Sequence, residues 1–530
     1  MRILERGARR ILGALDAAAT RAYGWRWNPL HQTGTIAVAM LLALLATGIY
    51  LVFVYRVAAP SASVARIAAD PWLGGWLRSL HRYTSDLFIV AAAIHFLRMF
   101  AQARSWGPRR LAWVSGLMLV GAGLVCAWTG FVMAWDSFGE RLAREGARLL
   151  DVLPVLSEPL SRLFAGDRPL PSAFFFVNLF VHIGLPLAMG ALLWLHVSRV
   201  ARPVLLPPPR ITWTLLAVLA IAAVLFPAPL GPAADPFRLP ADTPINLFSA
   251  WWLPLAERMP RGAVWGVGAA LSVALLLVPR FTRRARVDRW APSVVDPRLC
   301  TGCNQCPQDC PWDAITMVER DDDRPSLVAL VDPARCVSCG ICAGSCPPMG
   351  VGPPGRTGRD QLAAARAIVG ARVRDGSPGE KEGGGTGSRQ VIAICCSAAP
   401  ESHVEAIRAR GAHVHVVTCV GNLHSSVVET FVRSGAPGVV ICGCPPRDCL
   451  GREGPKWLHE RLYDEREAEL KPRVDRRRVR TLTLAPGARG EALAEYDTVA
   501  REFAALDLPG AELVEPDLVC EPVPVTEDDR

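Results

Sequence analysis

Cysteine is nearly absent from the first 299 residues of this 530-residue chain: Cys126 stands alone there, and the other fifteen of sixteen follow. That distribution excludes a disulfide framework and points to metal clusters in a reducing compartment. The chain also lacks a dinucleotide-binding glycine fingerprint and any nickel or molybdenum constellation, so no site for converting a soluble substrate is visible. The N-terminus has no apolar core and cleavage site of the secretory kind. Arg2, Arg6, Arg9, Arg10 and Asp16 lead directly into residues 25–28, which excludes a signal peptide. The net charge of +9 does not mark a nucleic-acid binder. Much of the N-terminal arginine flanks apolar runs, where the positive-inside rule accounts for it.

What is present before residue 280 is length of apolar chain. Six segments read as membrane spans, at 34–56, 80–102, 112–135, 174–200, 211–228 and 262–279. Arg98, Arg104, Arg109 and Arg110 follow the second, Arg199, Arg202 and Arg210 the fourth, and Arg280, Arg283, Arg284 and Arg286 the sixth. This bias places both termini, and everything after residue 280, in the cytoplasm.

Four histidines lie in these runs, and both pairs, His81 with His95 and His182 with His196, are fourteen apart. Fourteen residues is close to four helical turns, so the members of a pair share a face and stand about 21 Å apart. Ionisable side chains are costly in lipid. Two such helices side by side make a cage for two stacked b haems, each iron held by two imidazoles. Arg78 and Arg98 stand three residues from His81 and His95 and suit haem propionates; interface anchoring is the plainer role. Gly48 and Gly130 leave room for a flat macrocycle.

With those residues in view, residues 20–280 resemble the cytochrome b family. Gly130-Phe-Val-Met-Ala-Trp135-Asp136 is similar to the family's Gly-Tyr-x-x-Pro-Trp stretch, with Ala134 at the usual proline, and Pro186 follows His182 by four. The resemblance implies that His81 and His182 hold the outer haem, and His95 and His196 the inner one. It also puts Ser249, Ala250, Trp251 and Trp252 where respiratory relatives carry Pro-Glu-Trp-Tyr, so the proton-accepting carboxylate of an outer quinol site is missing. No cysteine on the first helix supports a covalently held extra haem, and Cys126 reads as a small buried hydrophobe.

Beyond residue 299, Cys300, Cys303, Cys306 and Cys310-Pro311 are followed by Cys336, Cys339, Cys342 and Cys346-Pro347. This is the bacterial spacing for two 4Fe–4S clusters, in which each run's fourth cysteine serves the other cluster. Cluster one takes Cys300, Cys303, Cys306 and Cys346; cluster two takes Cys336, Cys339, Cys342 and Cys310. Structural zinc rarely uses such a compact run twice. Residues 290–352 resemble two-cluster ferredoxins.

After a Gly-rich linker, β-branched runs alternate with helical patterns. Strands are expected near 390–394, 413–418, 438–442 and 479–483, and helices near 401–410, 423–434, 454–469 and 491–505, giving a mainly parallel sheet. Cysteines fall at the strand ends, where such folds place ligands. Cys395-Cys396-Ser, Val-Thr-Cys419-Val-Gly-Asn and Gly443-Cys444-Pro-Pro-Arg-Asp448-Cys449 resemble the delta subunit of methyl-viologen-reducing hydrogenase over 390–507. The resemblance implies a 2Fe–2S cluster on Cys396, Cys419, Cys444 and Cys449, with Cys395 and Cys442 in reserve, although Pro445 and Leu450 stand where that family has histidine. A metal-free thiol-rich loop and a catalytic dithiol remain open. Cys520 reads as unligated, and His403, His413, His415, His424 and His459 show no ligand spacing.

The expected fold is multi-domain. It comprises an all-α transmembrane bundle over 1–285, a ferredoxin-like α+β domain over 286–372, a linker at 373–389, a small α/β domain over 390–510 and an acidic tail at 511–530. The parts imply a membrane-anchored electron-transfer subunit joining quinone or quinol to a cytoplasmic oxidoreductase. The partner would be a heterodisulfide-reductase-like or flavin-containing complex, with a homodimer also allowed. Quinone would bind by the inner haem, between His95, His196, Trp27, Asn28 and His31. Other readings are a quinol-linked thiol–disulfide reductase, the membrane subunit of a hydrogenase or formate dehydrogenase, and an anchor whose haems are only structural.

Overall fold

The computed structural model describes residues 2–506 except 154–157, 165–169, 199, 236–244, 285–290, 323 and 376–389. The expected linker lies almost wholly outside the described residues, and the acidic tail, Cys520, Arg199 and Arg286 lie outside them too. The chain divides into two compact units, one of Met1–Ala19 and Trp27–Arg289, the other of Thr20–Arg26 and Trp290–Arg530.

The first unit is helical, and the last residues of its first helix, from Thr20 on, are counted with the second. Its elements are α1 (Arg2–Tyr23), α2 (Thr33–Val54), α3 (Pro60–Ala69), α4 (Gly74–Ala101), α5 (Arg110–Ala134), α6 (Ser137–Leu150), α7 (Ser172–Val197), α8 (Pro209–Leu225), α9 (Leu253–Arg258) and α10 (Arg261–Arg284). A chain in lipid must satisfy its own backbone polar groups, and helices do so within one segment. Among the described residues, the five segments built on α2, α4, α5, α7 and α10 are long and apolar enough to cross a membrane. The expected fifth span, α8, is shorter, at 17 residues. It reaches about 25 Å against a hydrocarbon core of roughly 30 Å. Only 11% of the most apolar stretch of α7 is buried within the protein. An apolar surface that large calls for lipid around it.

Helix α2 packs chiefly on α4, and α5 on α7. Small residues at the contacts permit the close approach, as they do between membrane helices generally.

The second unit opens with two small antiparallel sheets. Strand β1 (Val294–Val295) pairs with β4 (Val351–Gly352), and β2 (Ile315–Val318) with β3 (Val328–Val331). Two short helices, α11 (Gln305–Asp309) and α12 (Ile341–Gly344), carry part of each cysteine run. Next comes α13 (Gly358–Asp375), a helix that the sequence pattern did not announce. It runs past residue 372 and packs on α15 (Ser425–Arg433) of the following domain.

That domain is a four-stranded sheet, all parallel, in the order β6-β5-β7-β8. The strands are β5 (Ile392–Cys396), β6 (His413–Val417), β7 (Val439–Gly443) and β8 (Val479–Thr483), interleaved with α14 (Glu401–Arg408), α15, α16 (Gly454–Tyr463) and α17 (Arg489–Ala505). Every residue of β5 and β7 is buried, as expected for central parallel strands covered on both faces. Helix α16 ends at Tyr463, short of the expected 469.

Arg461 joins the two halves of this unit. It is fully buried, and it donates to Ser345 Oγ at 3.0 Å and to the Gly421 carbonyl at 2.8 Å. Burial pushes its pKa down to about 10, against the pull of nearby Asp309 and Cys419. Asp309, also buried, accepts from Ser345 Oγ at 2.6 Å and pairs with Arg466. A buried charge network of this kind fixes one geometry, because losing either partner strands the other in a dry interior.

Candidate metal centres

The four membrane histidines meet as two facing pairs across α4 and α7. His81 and His182 have ring centroids 6.4 Å apart, and His95 and His196 are 6.5 Å apart. A metal bound by both rings through bonds of about 2 Å would hold the centroids roughly 6 Å apart. The residues present therefore fit a metal that one imidazole from each helix would hold.

Each histidine is matched by a glycine on the neighbouring helix. A Cβ at Gly48 would stand 3.4 Å from the His81 ring, at Gly130 3.0 Å from His182, at Gly116 3.1 Å from His196, and at Gly34 2.8 Å from His95. Gly34 and Gly116 were not among the glycines expected at a macrocycle. The signal that finds them was available: 34 with 48 and 116 with 130 repeat the fourteen-residue spacing of the histidines.

Three of the four Nδ1 atoms are held. His81 Nδ1 lies 2.8 Å from Thr47 Oγ1, and that hydroxyl also donates to the Ala43 carbonyl at 2.8 Å. His196 Nδ1 lies 3.1 Å from Ser115 Oγ. His182 Nδ1 lies 3.0 Å from both Thr129 Oγ1 and the Cys126 carbonyl. A ligand histidine with its Nδ1–H so engaged has its tautomer and orientation fixed, leaving Nε2 for a metal. Cys126 is thus more than filler, since its sulfur also sits 3.6 Å from His182 Nδ1.

The two arginines expected at propionates are engaged by protein. Arg78 donates to the carbonyls of Ala228 and Pro229, at 2.7 and 3.0 Å. Arg98 is buried and pairs with Asp16 at 2.6 Å. Asp16 is 3.9 Å from His31 Nε2, and Asn28 donates to the Asp16 carbonyl at 3.1 Å. Trp27 lies half-exposed under the Arg210 guanidinium.

In the loop before α9, Ala250 is buried and Trp251 exposed. Asn246 of this loop donates to Asp86 Oδ1 at 3.2 Å, and Asp86 pairs with Arg82 at 2.7 Å. Asp86 is a membrane-helix carboxylate that the sequence reading passed over.

In the second unit the cysteine runs interleave. One cavity is lined by Cys300, Cys303, Cys306 and Cys346, and another by Cys310, Cys336, Cys339 and Cys342. Each fourth cysteine therefore crosses to the other site. Four thiolates per cavity match the ligand set of a 4Fe–4S cluster. Burial pushes the Cys306 and Cys342 thiols well up, and the neighbouring cysteines add to it. Loading a metal there must expel protons. Backbone N–H groups aim at the sulfurs: Ser293 and Ser338 at Cys336, Ala314 at Cys310 and Gly350 at Cys346, at 3.3–3.5 Å.

The α/β domain divides its six cysteines between the two faces of its sheet. Ile392, Ile394 and Cys396 share one face of β5, and Ala393 and Cys395 the other. Cys396, Cys419, Cys444 and Cys449 belong to the first face, and their thiols form a chain of contacts: 396 with 444, 444 with 449, 449 with 419. Hydrogen bonds from Cys419 and Cys444 hold Cys449 well below the ordinary thiol range. Cys395 and Cys442 lie opposite each other in register on β5 and β7, on the far face. Gly454 closes the four-cysteine site, since a Cβ there would meet Cys419 Sγ at 2.6 Å. His424 is buried. It accepts from the Ser426 N–H, and its Nε2 lies 3.2 Å from the Cys346 carbonyl.

Paired histidines on apolar helices, joined in one chain to three cysteine sets, define a membrane-integral electron-transfer protein. Comparison with known families gives the particulars. Residues 25–202 match the model of cytochrome b/b6/petB, residues 299–349 that of the 4Fe-4S dicluster domain, and residues 391–506 that of the delta subunit of methyl-viologen-reducing hydrogenase. The chain is a fusion of segments like these three. Cytochrome b implies haem, and the dicluster segment implies 4Fe–4S clusters. Among solved structures, one titled hyperthermophilic respiratory Complex III is 18% identical, with a TM-score of 0.37 over 47% of this chain and 75% of that one.

Proposed function

We propose that this chain carries single electrons between the membrane quinone pool and a cytoplasmic oxidoreductase of the heterodisulfide-reductase or flavin-containing kind. The domains are those laid out from the sequence, with six membrane passes and both termini in the cytoplasm. His81 with His182 would hold an outer b haem and His95 with His196 an inner one. The two crossed cysteine sets would hold 4Fe–4S clusters, and Cys396, Cys419, Cys444 and Cys449 a 2Fe–2S cluster. These groups supply one-electron chemistry when bound. The protein's part is to hold their ligands rigid, dry and correctly charged.

The observation that carries this reading is the pair of facing imidazoles, each with a glycine behind it and three of the four rings anchored at Nδ1. On the inner side, buried Asp16, His31, Asn28 and Arg98 form a polar cluster three residues from His95. It can pass a proton to or from a quinone bound there.

The test is a cofactor count on the purified full chain, followed by reduction with quinol. The reading requires about two b haems and about ten non-haem irons per chain, from two four-iron clusters and one two-iron cluster. It also requires haem reduction by a quinol. Eight irons, with free thiols at the four C-terminal positions, would instead favour a thiol–disulfide reductase.

A further inference from the structure

The first cysteine site (Cys300, Cys303, Cys306, Cys346) and the second (Cys310, Cys336, Cys339, Cys342) stand differently towards the C-terminal four-cysteine site. A Cβ at Gly451 would lie 3.0 Å from Cys419 Sγ and 3.8 Å from Cys339 Cβ. One glycine therefore separates a cysteine of the second site from a cysteine of the C-terminal site. The join is locked by side chains. Asn422, three residues after Cys419, donates to the Gly340 carbonyl at 2.8 Å and to the Arg356 carbonyl at 3.2 Å. Gln361 donates to the Asn422 carbonyl at 2.9 Å and accepts from the His424 N–H at 3.2 Å. A Cβ at Gly340 would meet Asn422 Nδ2 at 2.5 Å, so the two loops touch closely.

The first site turns outward. Cys303 is exposed and Cys300 half-buried, whereas in the second site only Cys339 is less than fully buried, and that side is the one against Gly451. The first site meets the α/β domain through the Cys346 carbonyl, which lies against His424 Nε2.

Arg356 sits at the join. Its guanidinium donates to the Ser338 carbonyl at 3.1 Å and to Ser338 Oγ at 2.5 Å, inside the Cys336–Cys342 run. Burial there lowers its pKa, and the nearby Cys339, Cys342, Cys336 and Cys419 thiols act the other way. A half-buried cation near metal-bound thiolates stabilises the more negative, reduced state of each centre.

We propose that the second cysteine site, through Cys339, is the direct electron-exchange neighbour of the C-terminal four-cysteine site, and that Arg356 is a positioning residue holding one positive charge against both. The first site is then the outward-facing end of the series. The step is a one-electron exchange: one centre is oxidised, the other is reduced, and no bond or proton changes hands. This rests on the metal-centre assignments proposed above.

The experiment is an EPR-monitored redox titration of the full chain, with the first site's signal identified by its change in Cys303→Ser. In wild type, the two-iron signal should broaden and relax faster as the second cluster becomes reduced, and this should persist in Cys303→Ser. Arg356→Gln should shift the midpoints of the second and C-terminal centres downward and leave the first in place. Arg356→Lys should restore most of the shift. Relaxation that follows the first cluster instead, or an Arg356→Gln effect on all three centres or on none, overturns the proposal. If Arg356→Gln fails to assemble its clusters, the wild-type relaxation pattern decides alone. A chain with no two-iron signal and about eight irons defeats the underlying assignment, an outcome distinct from two assembled centres that do not interact.

Discussion

The His81–His182 pair and the His95–His196 pair are built alike and supported differently. In the first, both Nδ1 atoms are held, by Thr47 and by Thr129 with the Cys126 carbonyl. In the second, Ser115 holds His196, and no hydrogen bond to the His95 ring is found among the described residues. The glycine gaps run the other way. Gly34 leaves its histidine the least room of the four, and Gly48 the most. Buried charge also differs: Arg98, Asp16 and His31 gather near His95, while Arg78, near His81, is taken up by two carbonyls. The same ligand set can thus be tuned twice, through hydrogen bonds on one side and through tight packing and charge on the other.

The bluntest way to break the comparison is to remove one ligand. His182→Leu should empty the first pair and leave the second, so that haem content, read as pyridine haemochrome, falls from two per chain to about one. Full retention of both haems would mean that the pairs do not act as separate sites.

Glycine substitutions sharpen it. Gly34→Ala places a methyl 2.8 Å from the His95 ring, closer than a carbon contact allows, and should cost most of the inner haem. Gly48→Ala meets His81 at 3.4 Å, ordinary contact, and should keep both haems. Equal haem loss in the two variants would show that the macrocycle, rather than the imidazole, sets the room required.

These four glycines also mark how far the sequence could be read. Histidine spacing is one-dimensional information, because a helix turns a count of fourteen into a shared face. The glycine spacing held the same information and was half used. The crossing of Cys310 and Cys346 was equally legible from the order of the two runs. The choice between Cys395 and Cys396 was a matter of pleat, since neighbours on a strand face opposite ways, whereas Cys444 lies just past the end of β7 and turns to the face that Cys442 does not share. What no pattern carried were partners far apart in the chain. Asp16 meets Arg98 across 82 residues, and Arg461 meets Ser345 across 116. Only the packed fold brings such groups together. Helix α13 was missed because its sequence has no marked apolar face; it is held by docking on α15.

The two membrane sides should differ in quinone chemistry as well. A proton acceptor must come within hydrogen-bond reach of a quinol hydroxyl. In the loop before α9, Ala250 offers none, and the Asp136 carboxylate already accepts from the Gly139 and Gly231 N–H groups at 2.8 and 2.9 Å. Inhibitors of inner-side quinone sites should therefore slow quinol-driven haem reduction, and outer-site inhibitors should act weakly. Strong outer-site block alone would reverse the assignment. If that block were lost in Asp86→Asn, Asp86, held to the loop by Asn246, would be the acceptor.

The smallest effect expected is on potential. Thr47 Oγ1 uses its own proton on the Ala43 carbonyl, so towards His81 it is an acceptor, and it draws on the Nδ1–H. That makes the imidazole a stronger donor and favours the oxidised metal. Thr47→Val keeps the shape and removes the acceptor. One neutral hydrogen bond is worth about 1 kcal/mol, or roughly 40 mV for a one-electron couple. The midpoint of the first-pair haem should rise by an amount of that order, while the second-pair haem stays put. Ser115→Ala should do the same to the second pair and spare the first. A spectroscopic redox titration resolves both. A shift of both haems in either variant would mean that the pairs are electrostatically coupled, and that their separate supports do not tune them separately.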